Sequence, residues 1–274
     1  MKPRLALVAL FTCVLSATAF AGTPWVSVGA NAFSGTYGTS TTTDIYSVPL
    51  TFGYDTGRWH LKLTAPYIRI SGSSNVIPGI GAVSNSNPSG LGRAHGPFGT
   101  VGGTTQQATQ TTGTASGLGD VVAQASYTVL YDEHSRFGVD VGGKVKFGTA
   151  NENQGLGTGK NDYGVLVDAY KGIGDWTVFG GVGYTKYGSS QYIPLHNGGN
   201  ANVGASLRVN DSNTLGAYYY YRQRISDFGY RQSEMSGYWN HKIGDKARLQ
   251  VYALTGFSNG SPDWGGGASM KWSF

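Results

Sequence analysis

The twelve residues 136–147, RFGVDVGGKVKF, alternate without a break. One parity is Phe137, Val139, Val141, Gly143, Val145 and Phe147; the other is Gly138, Asp140, Gly142, Lys144 and Lys146. A period of two places the first set on one face of a β-strand and the second on the other. One face is apolar and the other carries charge. Four such runs follow one another between 118 and 187. Their connections are tight (YDEHS), long and rich in Gly and Asn (GTANENQGLGTGKN), then tight again (KGIGD). Strands of about ten residues with one apolar face, joined by short and long connections in turn, are the signature of a transmembrane antiparallel up-and-down β-barrel.

The pattern predicts twelve strands, at 25–34, 45–54, 58–70, 120–131, 136–147, 162–171, 176–187, 202–209, 214–225, 231–242, 248–257 and 264–274. The even-numbered connections (DTG, YDEHS, KGIGD, NDSN, GDKA) are short and built from turn-forming residues. The odd-numbered ones are the longer, external candidates, as expected when both termini lie in the periplasm. An even count lets the last strand meet the first antiparallel, so no edge is left open. A soluble sandwich or lipocalin-like barrel also alternates, but its inside is filled with apolar side chains. Here the core of such a fold would be Gly, Ala and Val.

Residues 1–21 read as a signal peptide: Lys2 and Arg4, a mostly apolar run over 5–15, and Ala19-Phe20-Ala21 as the cleavage site, with Gly22 starting the mature domain 22–274. The one cysteine, Cys13, lies in that leader, which excludes disulfides and Cys-based metal sites from the rest. Beyond the leader the chain has 18 basic and 15 acidic residues, net +3, too weak a surplus to suggest nucleic acid. Only 13% of residues are charged, against about 25% in soluble domains. With 44 glycines and 18 tyrosines, the composition suits a barrel in which alternate residues meet lipid. No apolar run long enough for a membrane helix follows the leader.

Tyr54, Trp59, Tyr127, Trp176, Trp239 and Trp272 fall near strand ends on the apolar parity, as aromatic girdles do. The inward parity is expected to carry Lys62, Lys144, Lys146, Arg208, Arg222, Arg224, Arg248 and Lys271 against Asp120, Asp140, Asp168 and Glu234, with Tyr170, Tyr218, Tyr220, Tyr238 and Tyr252 among them. Rings of charge bias conduction, so a positive surplus favours anions. The arginines at 208, 222, 224 and 248 form one side of this expected wall. Arg222 and Arg224 beside Tyr218 and Tyr220 suggest a cradle for an aromatic carboxylate. The alternative is that the charges pair across a narrow lumen and plug it.

Other features argue against chemistry. GLGTGK at 155–160 fails as a phosphate loop: Gln154 stands where the first Gly is required, and Asn161 follows Lys160. It reads as a flexible external loop. Asp120 and Asp162 each open a strand after a loop, which suits bonding to loop backbone at the rim better than calcium. His60, His95, His134, His196 and His241 show no metal-ligand spacing and no Ser-His-acid arrangement, so neither metal, cofactor nor enzymatic activity is expected. The connection 71–117 has a single charge, Arg93, and apolar patches at Val76-Ile77-Pro78 and Pro97-Phe98. Its composition favours disorder over folding into the lumen.

The block 118–187 resembles a family of outer-membrane transporters labelled for the MetA pathway of phenol degradation. The residues that carry the resemblance are Gly117-Leu118-Gly119-Asp120, Val145-Lys146-Phe147-Gly148-Thr149, Gly155-Leu156-Gly157-Thr158-Gly159 with Asp162-Tyr163, and Gly180-Gly181-Val182-Gly183-Tyr184. Where the family has a Pro-Thr-Gly-like turn this chain has Phe147-Gly148-Thr149, a departure. The resemblance implies a barrel and transport and says little of the substrate. Phe274 looks like the C-terminal aromatic signal read by the barrel assembly machinery. The sequence thus predicts a monomeric outer-membrane barrel of a Gram-negative bacterium, in contact with outer-membrane lipid, for passive passage of small solutes, anionic or aromatic compounds among them. A plugged barrel with a structural or surface-interaction role is the alternative, and an enzyme comes third.

Overall fold

The computed structural model describes residues 22–92 and 111–274. Ala21 and the rest of the expected leader, and Arg93, His95, Pro97 and Phe98, lie outside the described residues. Twelve antiparallel strands close on themselves: β1 (Gly22–Gly35), β2 (Thr43–Thr56), β3 (Trp59–Ser73), β4 (Thr112–Leu118, continuing as Val121–Asp132), β5 (Phe137–Phe147), β6 (Asp162–Ile173), β7 (Trp176–Lys186), β8 (Gly198–Arg208), β9 (Asn213–Arg222), β10 (Gln232–Ile243), β11 (Ala247–Gly256) and β12 (Trp264–Ser273). Each pairs with its neighbours in sequence, and β1 pairs with β12 from Trp25↔Ser273 to Ser34↔Trp264. The end with both termini is called periplasmic and the other external, as in outer-membrane barrels.

The alternation sorts as expected. Val165, Val182 and Val203 point outward from mid-strand and are more than 60% exposed. In water such a surface would aggregate; in lipid it is the solvated one. On β2 the outward row runs Tyr46, Val48, Leu50, Phe52, Tyr54. Its aromatic ends are eight residues apart, about 27 Å along a strand, or roughly 20 Å of height at barrel tilt, close to the apolar band of such barrels. Trp59 and Tyr127 meet in the periplasmic girdle with ring centroids 5.0 Å apart. Exposed Tyr46, Tyr67, Tyr163, Tyr184 and Trp264 form the external one.

Two local departures shape the wall. Between Thr64↔Val122 and Tyr67↔Leu118 the β3–β4 register slips by one residue, a bulge at Gly119 and Asp120 that turns Asp120 inward. A Cβ at Gly119 would press on the Ile68 and Pro66 side chains, so glycine lets them pack against the bulge. Pro49 and Pro66 face each other across β2 and β3, and the β1–β2 ladder skips the positions opposite Pro49, because proline has no N–H to give.

Seven inward aromatic rings sit directly across a strand pair from an inward glycine: Trp25 from Gly53, Phe33 from Gly265, Tyr170 from Gly138, Phe179 and Tyr218 from Gly204, Tyr238 from Gly216, and Tyr252 from Gly267. For six of them a Cβ on the glycine would meet the ring itself at 3.0 Å or less, and for Tyr218 it would meet the base of the side chain. The rings therefore lie along the wall. This accounts for glycines that strand propensity alone disfavours.

Candidate functional site in the lumen and its external cap

The buried apolar side chains lie at the external end, in two clusters. One joins Tyr37, Ile45, Ile68, Ile70, Val76, Ala82, Leu91, Ala150 and Leu156; the other joins Ile77, Ile80, Val83, Ile193, Leu195 and Ile225. They come from five different external loops and the strand ends beneath them. At their centre is a small hairpin, Val76–Ile77 paired with Gly81–Ala82. The connection 71–117 is therefore not wholly disordered, as its composition suggested: its first part folds into the mouth.

The local sequence explains the hairpin. In Ile77-Pro78-Gly79-Ile80 the Ile80 N–H donates to the Ile77 carbonyl at 3.0 Å, and Gly79 has φ +76°. Proline then glycine at these positions is the type II turn pattern. Alternation within the hairpin sends Val76 and Ala82 into one cluster and Ile77 into the other. Burying each large aliphatic chain stabilises the cap by about 1.5–3 kcal/mol.

Arg222 holds the tip. It stands at the external end of β9, 4% exposed, and its guanidinium donates to the carbonyls of Gly79 (3.1 Å) and Ile80. Tyr37 is held beside the mouth in the left-handed region at φ +51°, an unfavourable conformation for a bulky residue. Burial first, then the carboxylates of Glu234, Asp263 and Asp44, push its phenol well above the ordinary range, so it stays neutral.

Lys146 is also occupied. Its Nζ lies 2.8 Å from Asp120 and 3.1 Å from Asp162 and donates to Thr158 Oγ1 at 3.1 Å. The same carboxylates bind loop backbone: Asp120 accepts from the Ala150 N–H at 3.0 Å and Asp162 from the Gly188 N–H at 2.8 Å. The two aspartates thus anchor loops at the rim. The segment 155–160 is external but packed rather than loose, with Leu156 2% exposed and Thr158 tied to Lys146.

The remaining predicted wall residues are spread over the height of the barrel. Lys62 (β3) and Lys144 (β5) point inward and make no hydrogen bond or ion pair among the described residues. Asp140 and Asp168 face each other across β5 and β6. Tyr220 opposes Glu234 across β9 and β10, and the Tyr218 and Tyr238 rings lie 6.3 Å apart. Near the periplasmic end Arg248 opposes Lys271; Lys271 sits 4.0 Å over the Trp25 ring and 3.8 Å from Asp55.

The expected arginine row does not exist as a row. Arg208 ends β8 at the periplasmic rim, where it is exposed and binds Asp175 at 2.8 Å. Arg224 lies beyond the end of β9 in an exposed external loop, lining a surface groove with Phe228, Tyr230 and Phe257. Alternation fixes the face and not the height, and β9 stops at Arg222, so the inward parity does not extend to 224. The Arg222–Arg224 cradle therefore does not form. Reading the sequence missed the hairpin, Tyr37 and Thr185. The Pro-Gly turn between apolar pairs was the available signal for the first.

Beneath the hairpin is a cavity of about 480 Å³ lined by Phe33, Ile45, Ile68 and Leu156 on one side and by Lys144, Thr185, Tyr220 and Arg222 on the other. No group of three or more His, Cys, Asp or Glu among the described residues is placed to hold a metal. The site is thus a polar, aromatic-lined bore with an apolar lid and a two-sided cavity below it.

No protein-family model matches the chain, and no curated protein matches it. Solved structures do. An outer membrane channel from Pseudomonas putida F1 superposes with a TM-score of 0.64 at 14% identity, over 92% of this chain and 96% of that one. The NanC porin gives 0.52 at 13% identity, over 91% and 98%. The KdgM porin gives 0.51 at 11% identity, over 90% and 99%. What the chain shares with them at such identities is the whole closed barrel.

Proposed function

We propose that this chain is an outer-membrane channel for passive passage of small solutes, anionic or aromatic compounds among them, with its mouth closed by the inner hairpin. The observation that carries this reading is the contrast between a polar inward wall closed by backbone pairing and a separate hairpin at its mouth, packed in two apolar clusters and held at its tip by Arg222. The similar folds support it, being described as an outer membrane channel and as porins. The reading includes removal of residues 1–21 as a signal peptide, recognition of Phe274 by the assembly machinery, a monomer in a Gram-negative outer membrane, and kinship with the MetA-pathway transporters. It assigns no catalysis.

A second reading, a permanently plugged barrel with a surface role, is favoured by one observation, the double apolar cluster across the mouth. Planar-bilayer recording separates the two. The refolded chain is expected to show discrete openings, more frequent and larger when residues 75–83 are replaced by a short Gly-Ser link. No events in either form, with no solute flux into liposomes, sinks the channel reading.

A further inference from the structure

The cavity beneath the hairpin has two unlike sides. Phe33, Ile45, Ile68 and Leu156 offer only carbon to it. Opposite them, three donor-bearing residues line the same cavity. Arg222 Nε and Thr185 Oγ1 are buried with no hydrogen-bond partner, and their residues are 4% and 2% exposed. Lys144 lies beside Thr185: a Cβ built on Gly164 would sit 2.7 Å from Lys144 Cε and 3.1 Å from Thr185 Oγ1. Lys144 has no hydrogen bond or ion pair among the described residues.

Among the described residues the cavity's own carboxylates make no hydrogen bond to these donors, although Asp162 and Glu234 act on Lys144 and Arg222 through their charge. Asp120 and Asp162 are taken by Lys146 and by the backbone N–H groups of Ala150 and Gly188. A buried donor without an acceptor is costly, and a charged acceptor satisfies it best.

We propose that this cavity binds a small monocarboxylate with an apolar body, its oxygens accepting from Arg222 Nε, Lys144 and Thr185 and its body lying against Phe33, Ile45, Ile68 and Leu156. The proposal rests on the channel reading and names its solute class. Charge and shape divide the labour: the cations fix the carboxylate, and the opposite wall excludes anions that are hydrophilic throughout. Because Arg222 also holds Gly79 and Ile80, a carboxylate on its Nε edge sits directly under the latch of the lid.

The test is calorimetric titration of the refolded full chain in detergent with benzoate, benzamide and benzylamine. Benzoate is expected to bind saturably, at least about tenfold more tightly than its neutral isostere, and benzylamine not to bind. Lys144→Gln is expected to weaken benzoate by about tenfold or more and leave benzamide unchanged, while Lys144→Arg restores most of the affinity. Circular dichroism and heat-resistant gel mobility verify that each variant is folded. Equal binding of benzoate and benzamide, or benzoate binding unchanged in both Lys144→Gln and Thr185→Val, overturns the proposal. Binding needs no conduction, so the two readings fail separately. Benzoate binding without liposome flux sinks the channel and leaves the site; flux without benzoate binding does the reverse.

Discussion

The two ends of this barrel are built on opposite plans. At the periplasmic end the strands are joined by tight turns, and the side chains there are exposed charges and girdle rings: Arg208 with Asp175, Lys242 with Asp245, His60 with Asp55. At the external end the buried apolar residues gather around one hairpin, and the charged groups are spent on holding loops. Wall and cap therefore draw on different physics. The wall is stabilised by backbone pairing in a medium without water. The lid is a small soluble-style core placed across the bore, and a core held by few side chains can open locally while the barrel stays intact.

The sharpest way to break this contrast is at Arg222. Replacing it with Ala leaves the Gly79 and Ile80 carbonyls without their donor, and hydrogen bonds to charged groups contribute about 1.5–3 kcal/mol each. Single-channel recording should show a several-fold rise in open probability. Hydrogen exchange should rise in residues 75–83 and stay low in β9. Equal exchange gains in both segments would mean that Arg222 supports the wall rather than the lid.

A smaller effect is expected from the wall itself. Gly216→Val puts a side chain under the Tyr238 ring and displaces it into the bore. Conductance of the open state should fall modestly, with open probability unchanged, because the lid and not this level controls opening. A change in open probability equal to that of Arg222→Ala would erase the distinction between the two regions.

The smallest effect belongs to the periplasmic rim. Asp175→Ala removes the exposed partner of Arg208, and such surface pairs contribute little. Neither conductance nor thermal unfolding should change measurably. A clear loss of either would show that the periplasmic rim shares the burden assigned to the mouth.

How much of this was legible in the sequence differs between the same two regions. The wall was, because a strand's face follows from parity alone: Lys62, Asp140, Lys144, Asp168, Tyr218 and Tyr220 all point inward. Height was not, since it depends on where each strand stops and on the stagger between neighbours; that is why Arg208, Arg222 and Arg224 share a parity but occupy three different levels. The Gly–aromatic pairs were hidden for the same reason, because Gly216 meets Tyr238 only through register. The turn of the hairpin was written locally as Pro78-Gly79. Its destination was not, since Arg222 reaches it across more than a hundred residues of chain, and a polar, low-charge loop composition carries no trace of that contact.

Among the described residues, the external hairpin and the apolar clusters around it form the layer that closes the bore. With residues 1–21 removed as proposed, Ser269→Cys places one small thiol on the inward face of β12, periplasmic to the cavity. A small membrane-impermeant thiol reagent added outside intact cells should label it slowly, and quickly when residues 75–83 are replaced by a Gly-Ser link. Labelling at the same rate with and without the hairpin would contradict the account.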